Sequence, residues 1–108
     1  MSSCGGRSVK LEKFEDLKAW QEARRLTVMV FELCKKEELR SEYSLTGQIK
    51  RSSVSIMANI AEGFGRFGLK DSKQFYITAR ASLSETQSHL YVLKDISSIS
   101  DKEFFQYL

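Results

Sequence analysis

The sequence of 108 residues contains no proline, and this absence is the strongest constraint on its fold, because proline interrupts helices and marks turns. Its six glycines fall at the ends of the apolar-periodic runs or outside them. Hydrophobic residues make up 42% of the chain and charged residues 29%, which is typical of a globular protein. The sequence therefore favours long, unbroken amphipathic helices over a turn-rich β architecture.

Apolar residues recur at helical spacing in three long segments. This spacing predicts helix 1 over about 14–38, helix 2 over about 43–64 and helix 3 over about 70–96. A fourth helix is predicted to begin with "KEFFQYL" after Asp101, and it is either short or truncated after Leu108. The predicted fold is therefore all-α, an antiparallel up-and-down four-helix bundle.

The connections between these helices contain the expected start and stop signals. Ser41 or Ser44 is the candidate cap of helix 2, and Asp71 or Ser72 is the candidate cap of helix 3. The stretch "GFGRFG" predicts the end of helix 2 and a turn. It is not a nucleotide-binding loop, since no strand precedes it and no GK[ST] follows.

The chain as a whole is predicted to be one domain over residues 13–108, preceded by a flexible leader over residues 1–12. Its longest apolar run is far shorter than a membrane span, and its first ten residues lack the apolar segment of a signal peptide. Cys4 and Cys34 have no CxxC spacing, so a disulfide framework is not expected. Reduced thiols fit a cytoplasmic protein without a membrane partner.

Two polar stripes follow the helical period along helices 2 and 3. The first consists of Gln48, Ser52, Ser55, Asn59 and Glu62, and the second of Thr78, Ser82, Glu85 and His89. In an up-and-down bundle these helices are antiparallel neighbours, so the facing stripes predict a buried hydrogen-bonded network that fixes register. The alternatives are a surface site that contacts RNA or a protein partner, and a catalytic site.

The inventory of residues argues against an enzyme. His89 is the only histidine, and its spacing from Glu85 is i, i+4. Di-iron bundles use Glu-x-x-His motifs on paired helices, and no such pair exists in the sequence. No catalytic residue, metal site or cofactor is therefore predicted.

Positive charge is concentrated in the middle of the chain. Residues 39–80 contain seven Lys and Arg against three Asp and Glu, whereas residues 81–108 contain two against four. Phosphate contacts need cations, and base stacking needs exposed rings such as those available from Phe67 and Tyr76. The candidate nucleic-acid-binding residues are Lys50, Arg51, Arg66, Lys70 and Lys73. A plain solvated surface is the alternative explanation of the same charges.

Three segments carry a resemblance to a known family: "FEDLKAWQEARRL", "YSLTGQIKRSSVSIMANIAEGFGR" and "KQFYITARASLSETQSHL". They resemble the bacterial 23S ribosomal RNA intervening-sequence proteins, a group that includes the accessory variability proteins of diversity-generating retroelements. The resemblance covers about residues 14–105. The family pattern matches Trp20, Gln48, Arg51, Ser55, Asn59, Glu62, Gly63, Arg66, Phe75, Ala79, Ser82 and Glu85.

This resemblance implies an antiparallel four-helix bundle that assembles as a homopentamer, and it implies no established enzyme activity. The retroelement relatives bind a reverse transcriptase and nucleic acid through a basic surface. The predicted function is therefore that of a non-catalytic, oligomeric protein associated with RNA or DNA. The alternative is an adaptor for a protein such as a reverse transcriptase, held by an apolar groove near Phe104 and Phe105.

Overall fold

A computed structural model describes residues 13–96 of the chain. These residues form a 3-10 helix (Phe14–Asp16), α1 (Lys18–Leu33), a second 3-10 helix (Glu37–Leu39), α2 (Tyr43–Gly65) and α3 (Leu69–Ile96). The described part contains no strand, so the prediction of an all-α fold is confirmed. The predicted leader and the predicted fourth helix lie outside the described residues.

Predicted helix 1 is interrupted at both ends. Leu17 has an extended backbone (φ −72°, ψ 126°), and this separates the first 3-10 helix from α1. Lys36 is also extended (φ −60°, ψ 140°), so the chain leaves the helical path after α1. This bend allows Leu39 to turn into the core, where it is 1% exposed. The burial of Leu39 explains why the helix does not continue to residue 38.

The predicted caps of helix 2 are wrong. The residue at the cap position is Glu42, and its side chain makes no capping hydrogen bond. Its carbonyl oxygen instead accepts the backbone N–H of Thr46 (2.9 Å) and the Thr46 hydroxyl (3.0 Å). The neighbouring Ser41 and Ser44 do not cap the helix.

The predicted caps of helix 3 are wrong as well, because the turn before it is tighter than expected. Gly68 has φ +89°, a left-handed conformation that glycine adopts at little cost, and α3 begins at once with Leu69. Asp71 and Ser72 therefore lie inside the first turn of α3. The Ser72 hydroxyl donates to the carbonyl oxygen of Gly63 (2.9 Å) and so ties α3 to the last turn of α2.

The three helices are antiparallel, with α2 in the middle. Residues late in α2 contact residues early in α3, and the reverse: Gly63 contacts Tyr76, and Ser55 contacts Ser82. The helices α1 and α2 pair in the same antiparallel sense, since Ala23 clusters with Ile60 and Val30 clusters with Ile49. The described residues therefore form a flat layer with overall dimensions of 49 × 29 × 17 Å. None of the helices in this part of the chain has the length and apolar character needed to cross a bilayer.

The buried side chains form two clusters. One consists of Val30, Leu33, Cys34, Leu39, Ile49, Leu90 and Leu93, and the other of Ala23, Ile56, Ile60 and Ala79. Burial raises the pKa of the Cys34 thiol, and the nearby positive charge of Lys50 opposes this effect. A groove runs along α2 between α1 and α3, lined mainly by the apolar side chains of Ala23, Leu26, Met29, Ile56, Ile60 and Leu83.

At Gly63 the ring of Tyr76 on α3 packs directly against α2. A Cβ atom at this position would lie 2.8 Å from Cε1 of the Tyr76 ring, a separation that forces the ring to move. We expect Gly63→Ala to lower the free energy of unfolding by about 1–2 kcal/mol, because overpacking outweighs the gain in helix propensity. Urea unfolding followed by circular dichroism measures the difference.

Gly65→Ala is the matched control, since a Cβ at that position meets no atom within 4 Å. It should be neutral or slightly stabilising. The cost of Gly63→Ala should shrink in a Tyr76→Ala background, where the ring is absent. An equal cost with and without the ring would contradict the assigned role of this contact.

Candidate nucleic-acid interface

The five predicted nucleic-acid-binding residues lie in two groups. Lys50 and Arg51 are in the first half of α2, whereas Arg66, Lys70 and Lys73 are at the turn between α2 and α3. Fifteen residues separate Arg51 from Arg66, which corresponds to about 22 Å along a helix. The structure therefore does not bring the five residues together into a single site.

The first group is a shallow depression lined by Phe31, Lys50, Arg51, Val54 and Ser55. The ammonium group of Lys50 lies 5.3 Å from the centroid of the Phe31 ring, a cation–π contact that holds it against α1. Arg51 is exposed, and its guanidinium group lies close to the backbone of Gly47. Of these two cations, Arg51 is the one that faces solvent.

Arg66 is largely occupied by contacts within the protein. One of its guanidinium nitrogens lies 3.0 Å from a carboxylate oxygen of Glu62, so the two charges offset each other. The guanidinium group also lies 4.7 Å from the centroid of the Phe75 ring. This pair of contacts fastens the end of α2 to the start of α3. Arg66 is therefore a positioning residue of the turn more than a free cation.

The turn itself presents aromatic, apolar and cationic side chains to solvent. Phe67 is 96% exposed and Leu69 is 86% exposed, and Lys70 and Lys73 lie within the following turn of α3. Neither lysine forms an ion pair with any residue in the part of the chain that the structure describes. Because their charges are not offset, this second group is the better candidate for contacting phosphate.

Arg80 belongs with this group and is absent from the predicted set. It is exposed and lines a depression on α3 together with Lys73, Tyr76 and Ile77. Arg80 follows Lys73 by seven residues, which is two helical turns, so both side chains lie on one face of α3. That spacing is the sequence signal that would have identified it.

The predicted polar stripes meet between α2 and α3 at their central serines. The hydroxyl oxygens of Ser55 and Ser82 are 2.9 Å apart across the interface. One turn away, the hydroxyl of Thr86 lies 2.8 Å from that of Ser52, and Thr86 is fully buried. We refer to Ser52, Ser55, Ser82 and Thr86 as the hydroxyl seam. Thr86 was missed because it lies one position beyond Glu85, which was assigned to the stripe.

The outer members of both stripes make hydrogen bonds within their own helices. Asn59 donates to the carbonyl oxygen of Ser55 at 2.8 Å, Gln48 contacts Ser44, and exposed Thr78 donates to the carbonyl oxygen of Gln74. Glu62 pairs with Arg66 one turn along α2. Asn59 and Thr78 therefore do not form the cross-helix contacts that the sequence led us to expect.

Glu85 and His89 form a pair of their own on α3. The His89 ring nitrogen lies 3.3 Å from a carboxylate oxygen of Glu85, which is itself more than half exposed. Within residues 13–96, no three side chains of His, Cys, Asp or Glu converge in a way that could hold a metal ion. This pair is therefore a local contact at the edge of the layer.

The sequence that forms this α2–α3 hairpin also matches a known protein family over nearly its whole length. A family model described as "23S rRNA-intervening sequence protein" matches residues 15–108. The chain belongs to the 23S rRNA-intervening sequence protein family. A comparison with curated proteins gives no significant match.

Several residues that carry the resemblance to the 23S rRNA-intervening sequence protein family lie where α2 and α3 meet. Gly63 allows the approach of Tyr76, Ser55 and Ser82 share a hydrogen bond, and Arg66 stacks on Phe75. The motif "NIAEGFGR" therefore mainly holds the end of α2 against the start of α3. Its contribution to the candidate interface is to position the turn that follows it.

Thr86→Val tests the hydroxyl seam, because it replaces the buried hydroxyl with a methyl group of similar size. We expect it to lower the free energy of unfolding by about 1–2 kcal/mol, since the hydroxyl of Ser52 loses its cross-helix partner. Thr78→Val is the matched control on the same helix. It should change stability by less than about 0.5 kcal/mol, because Thr78 is exposed. Similar effects of both variants would show that the seam does not stabilise the interface.

Proposed function

We propose that this member of the 23S rRNA-intervening sequence protein family is a non-catalytic, oligomeric protein that binds RNA. The observation that carries the proposal is the set of exposed cations Lys70, Lys73 and Arg80 on α3, the helix that begins two residues after the exposed Phe67. The family description names a 23S rRNA-intervening sequence, and on that name alone we propose RNA, not DNA, as the nucleic acid. Both nucleic acids present the phosphates that these cations contact.

Assembly into a homo-oligomer is part of the proposal, because one chain offers few cations and a ring of identical chains multiplies them. Support comes from large apolar side chains left exposed on the layer, an arrangement typical of interaction surfaces. They include Val28, Phe31 and Val54 on α1 and α2, and Ile77, Tyr91 and Val92 on α3. The family resemblance implies five subunits.

We further propose that residues 101–108 form the fourth helix of the bundle and occupy the groove between α1 and α3. The groove is apolar and follows α2, and the proposed helix offers Phe104, Phe105 and Leu108 at helical spacing. Residues 97–100 would reverse the chain after the end of α3. The resulting architecture is the antiparallel four-helix bundle that the resemblance implies.

Substitution of Phe104 and Phe105 tests this placement. We expect Phe104→Ser combined with Phe105→Ser to lower the free energy of unfolding by about 3 kcal/mol or more, because two large apolar side chains lose their buried positions. Leu69→Ser is the control, since Leu69 is 86% exposed in the described structure. Its effect on stability should be small.

An unchanged unfolding free energy of the Phe104 and Phe105 variant would favour a second candidate function. The apolar groove would then be open to a helix of a protein partner, such as a reverse transcriptase. The chain would act as an adaptor, and its cations would be secondary. The groove between α1 and α3 is the observation that supports this alternative.

The proposed function needs neither a cofactor nor a metal, since binding to phosphates and bases requires only the cations and the ring at the turn. We place the protein in the cytoplasm, where RNA is available and where Cys34 would remain reduced. In this proposal the hydroxyl seam is structural, and the cations at the turn contact the ligand.

Binding of a labelled structured RNA, measured at increasing salt, tests the nucleic-acid function. The logarithm of the association constant should fall linearly with the logarithm of salt concentration, because each phosphate contact releases counterions. Replacing Lys70, Lys73 and Arg80 by Gln should weaken binding and make this slope shallower by about 0.7–0.9 for each phosphate that is no longer neutralised. Absence of binding at about 50 mM salt, where electrostatic affinity is high, would refute the proposal.

The matched control removes the same charge from elsewhere on the described surface. Lys13, Lys18 and Arg40 are exposed cations outside the turn, and their replacement by Gln should leave the salt slope nearly unchanged. Light scattering on both triple variants and on the unmodified protein gives the subunit number. Equal slopes for the two triple variants would show that net charge, and not the turn, determines binding.

A further inference from the structure

We infer that the α2–α3 turn recognises unpaired nucleotides, with the ring of Phe67 stacking on a base while Lys70 and Lys73 contact the phosphates. This inference rests on the nucleic-acid function proposed above and specifies the class of ligand. It would be a single strand, a loop or a bulge, and not a continuous duplex. Three features of the turn lead to it.

The first feature is the position of Phe67. Its side chain is 96% exposed, and within the described residues its ring makes no contact with another ring or with a cation. Two other aromatic side chains of this region are engaged: Phe75 lies under Arg66, and Tyr76 lies against Gly63. Phe67 therefore presents a free aromatic face at the tip of the hairpin, where a planar base can stack on it.

The second feature is that the backbone on both sides of Phe67 is constrained. Arg66 is fixed to Glu62 and Phe75, and Gly68 takes the left-handed conformation that turns the chain directly into α3. The residues on both sides of Phe67 are thus constrained by their own contacts or backbone angles. Less backbone freedom is therefore lost when a base stacks on the ring of Phe67.

The third feature is the placement of the cations. Lys70 and Lys73 are three residues apart, so they are neighbours on one face of the first turns of α3. Neither forms an ion pair within the described residues, and the positive end of the α3 dipole lies at the same place. A strand whose base stacks on Phe67 therefore meets two unpaired lysines, although one exposed carboxylate, Asp71, lies between them.

A duplex does not fit this arrangement. Its bases are stacked on each other, and the major groove of an RNA helix is too deep and narrow for side chains to reach the base edges. A ring on a short turn can stack only on a base that is already unstacked. The cations alone would hold a duplex through its phosphates, without a contribution from the ring.

An anionic membrane is the competing ligand for a patch of this composition. The turn offers two large exposed apolar side chains, Phe67 and Leu69, and a pair this small gives at most marginal and reversible membrane binding. The single free ring beside cations is better matched to base stacking. Vesicle binding is therefore included as an outcome of the test.

The experiment compares the full chain with Phe67→Leu, which keeps an apolar side chain but removes the ring. The probe is a labelled single-stranded oligouridylate of about twelve nucleotides, within the site size of single-strand binders. We expect Phe67→Leu to weaken its binding at least about fivefold. Phe67→Trp should retain binding, since the indole ring also stacks. A labelled RNA duplex of equal length should bind in a way that does not depend on residue 67.

Tyr43 provides the matched control, because it is 80% exposed and lies at the opposite end of α2. Tyr43→Leu should leave the binding of the oligouridylate unchanged. Tryptophan fluorescence supplies a direct readout of stacking: the oligouridylate should quench the added indole of Phe67→Trp and leave that of Tyr43→Trp unchanged. Light scattering on each variant shows whether the subunit number is preserved.

Each remaining result overturns the inference in a distinguishable way. Salt-dependent binding that is equal in the unmodified protein and in Phe67→Leu leaves the nucleic-acid function standing and shows that phosphates alone are recognised. No binding of any RNA refutes the proposed function itself. A changed subunit number in Phe67→Leu assigns the ring to a contact between subunits. Binding to phosphatidylserine vesicles that requires Phe67, without an effect on RNA, assigns the turn to a membrane surface.

Discussion

The close approach of α2 and α3 is the interaction on which the rest of the structure depends. It is possible because the side chains between the two helices are small. Gly63 leaves room for the ring of Tyr76, and Ser55 and Ser82 share a hydrogen bond of 2.9 Å where larger residues would separate the helices. Since each buried hydroxyl in this seam has a partner, the interface carries no penalty for unsatisfied polar groups. A shift of register would remove all of these pairings together.

The same close contact determines the shape of the described layer. Small residues between α2 and α3 leave little volume for a continuous apolar core there, and the buried side chains gather into two clusters. Each hydrogen bond of the seam contributes only about 1 kcal/mol, so apolar burial supplies most of the stability and the seam mainly selects the register. The apolar groove between α1 and α3 is what remains uncovered when three helices lie side by side.

The sequence was sufficient to predict the helices, but not how they are capped or where α1 begins and ends. Periodicity located α2 and α3 to within one residue or two, because an apolar stripe is a property of the chain alone. The start of α3 depends on the left-handed backbone of Gly68, and Ser72 bonds to Gly63 instead of capping its own helix. The end of α1 depends on the burial of Leu39. Both are consequences of tertiary packing, which local cap preferences do not contain.

In the candidate site, as in the helices, the sequence predicted what depends on local pattern and missed what depends on tertiary contacts. The charge distribution identified the basic middle of the chain, and helix geometry alone separates Lys50 and Arg51 from the turn. The sequence did not reveal that Arg66 contacts Glu62 and Phe75, whereas Lys70 and Lys73 form no such contacts in the described residues. This difference connects the seam to the proposed function. Because register between α2 and α3 fixes where Arg66 meets Phe75, it also fixes the direction in which the turn presents its ring and lysines. The hydroxyl seam sets the pairing of the helices, and that pairing holds in place the turn that we propose as the site of nucleic-acid binding.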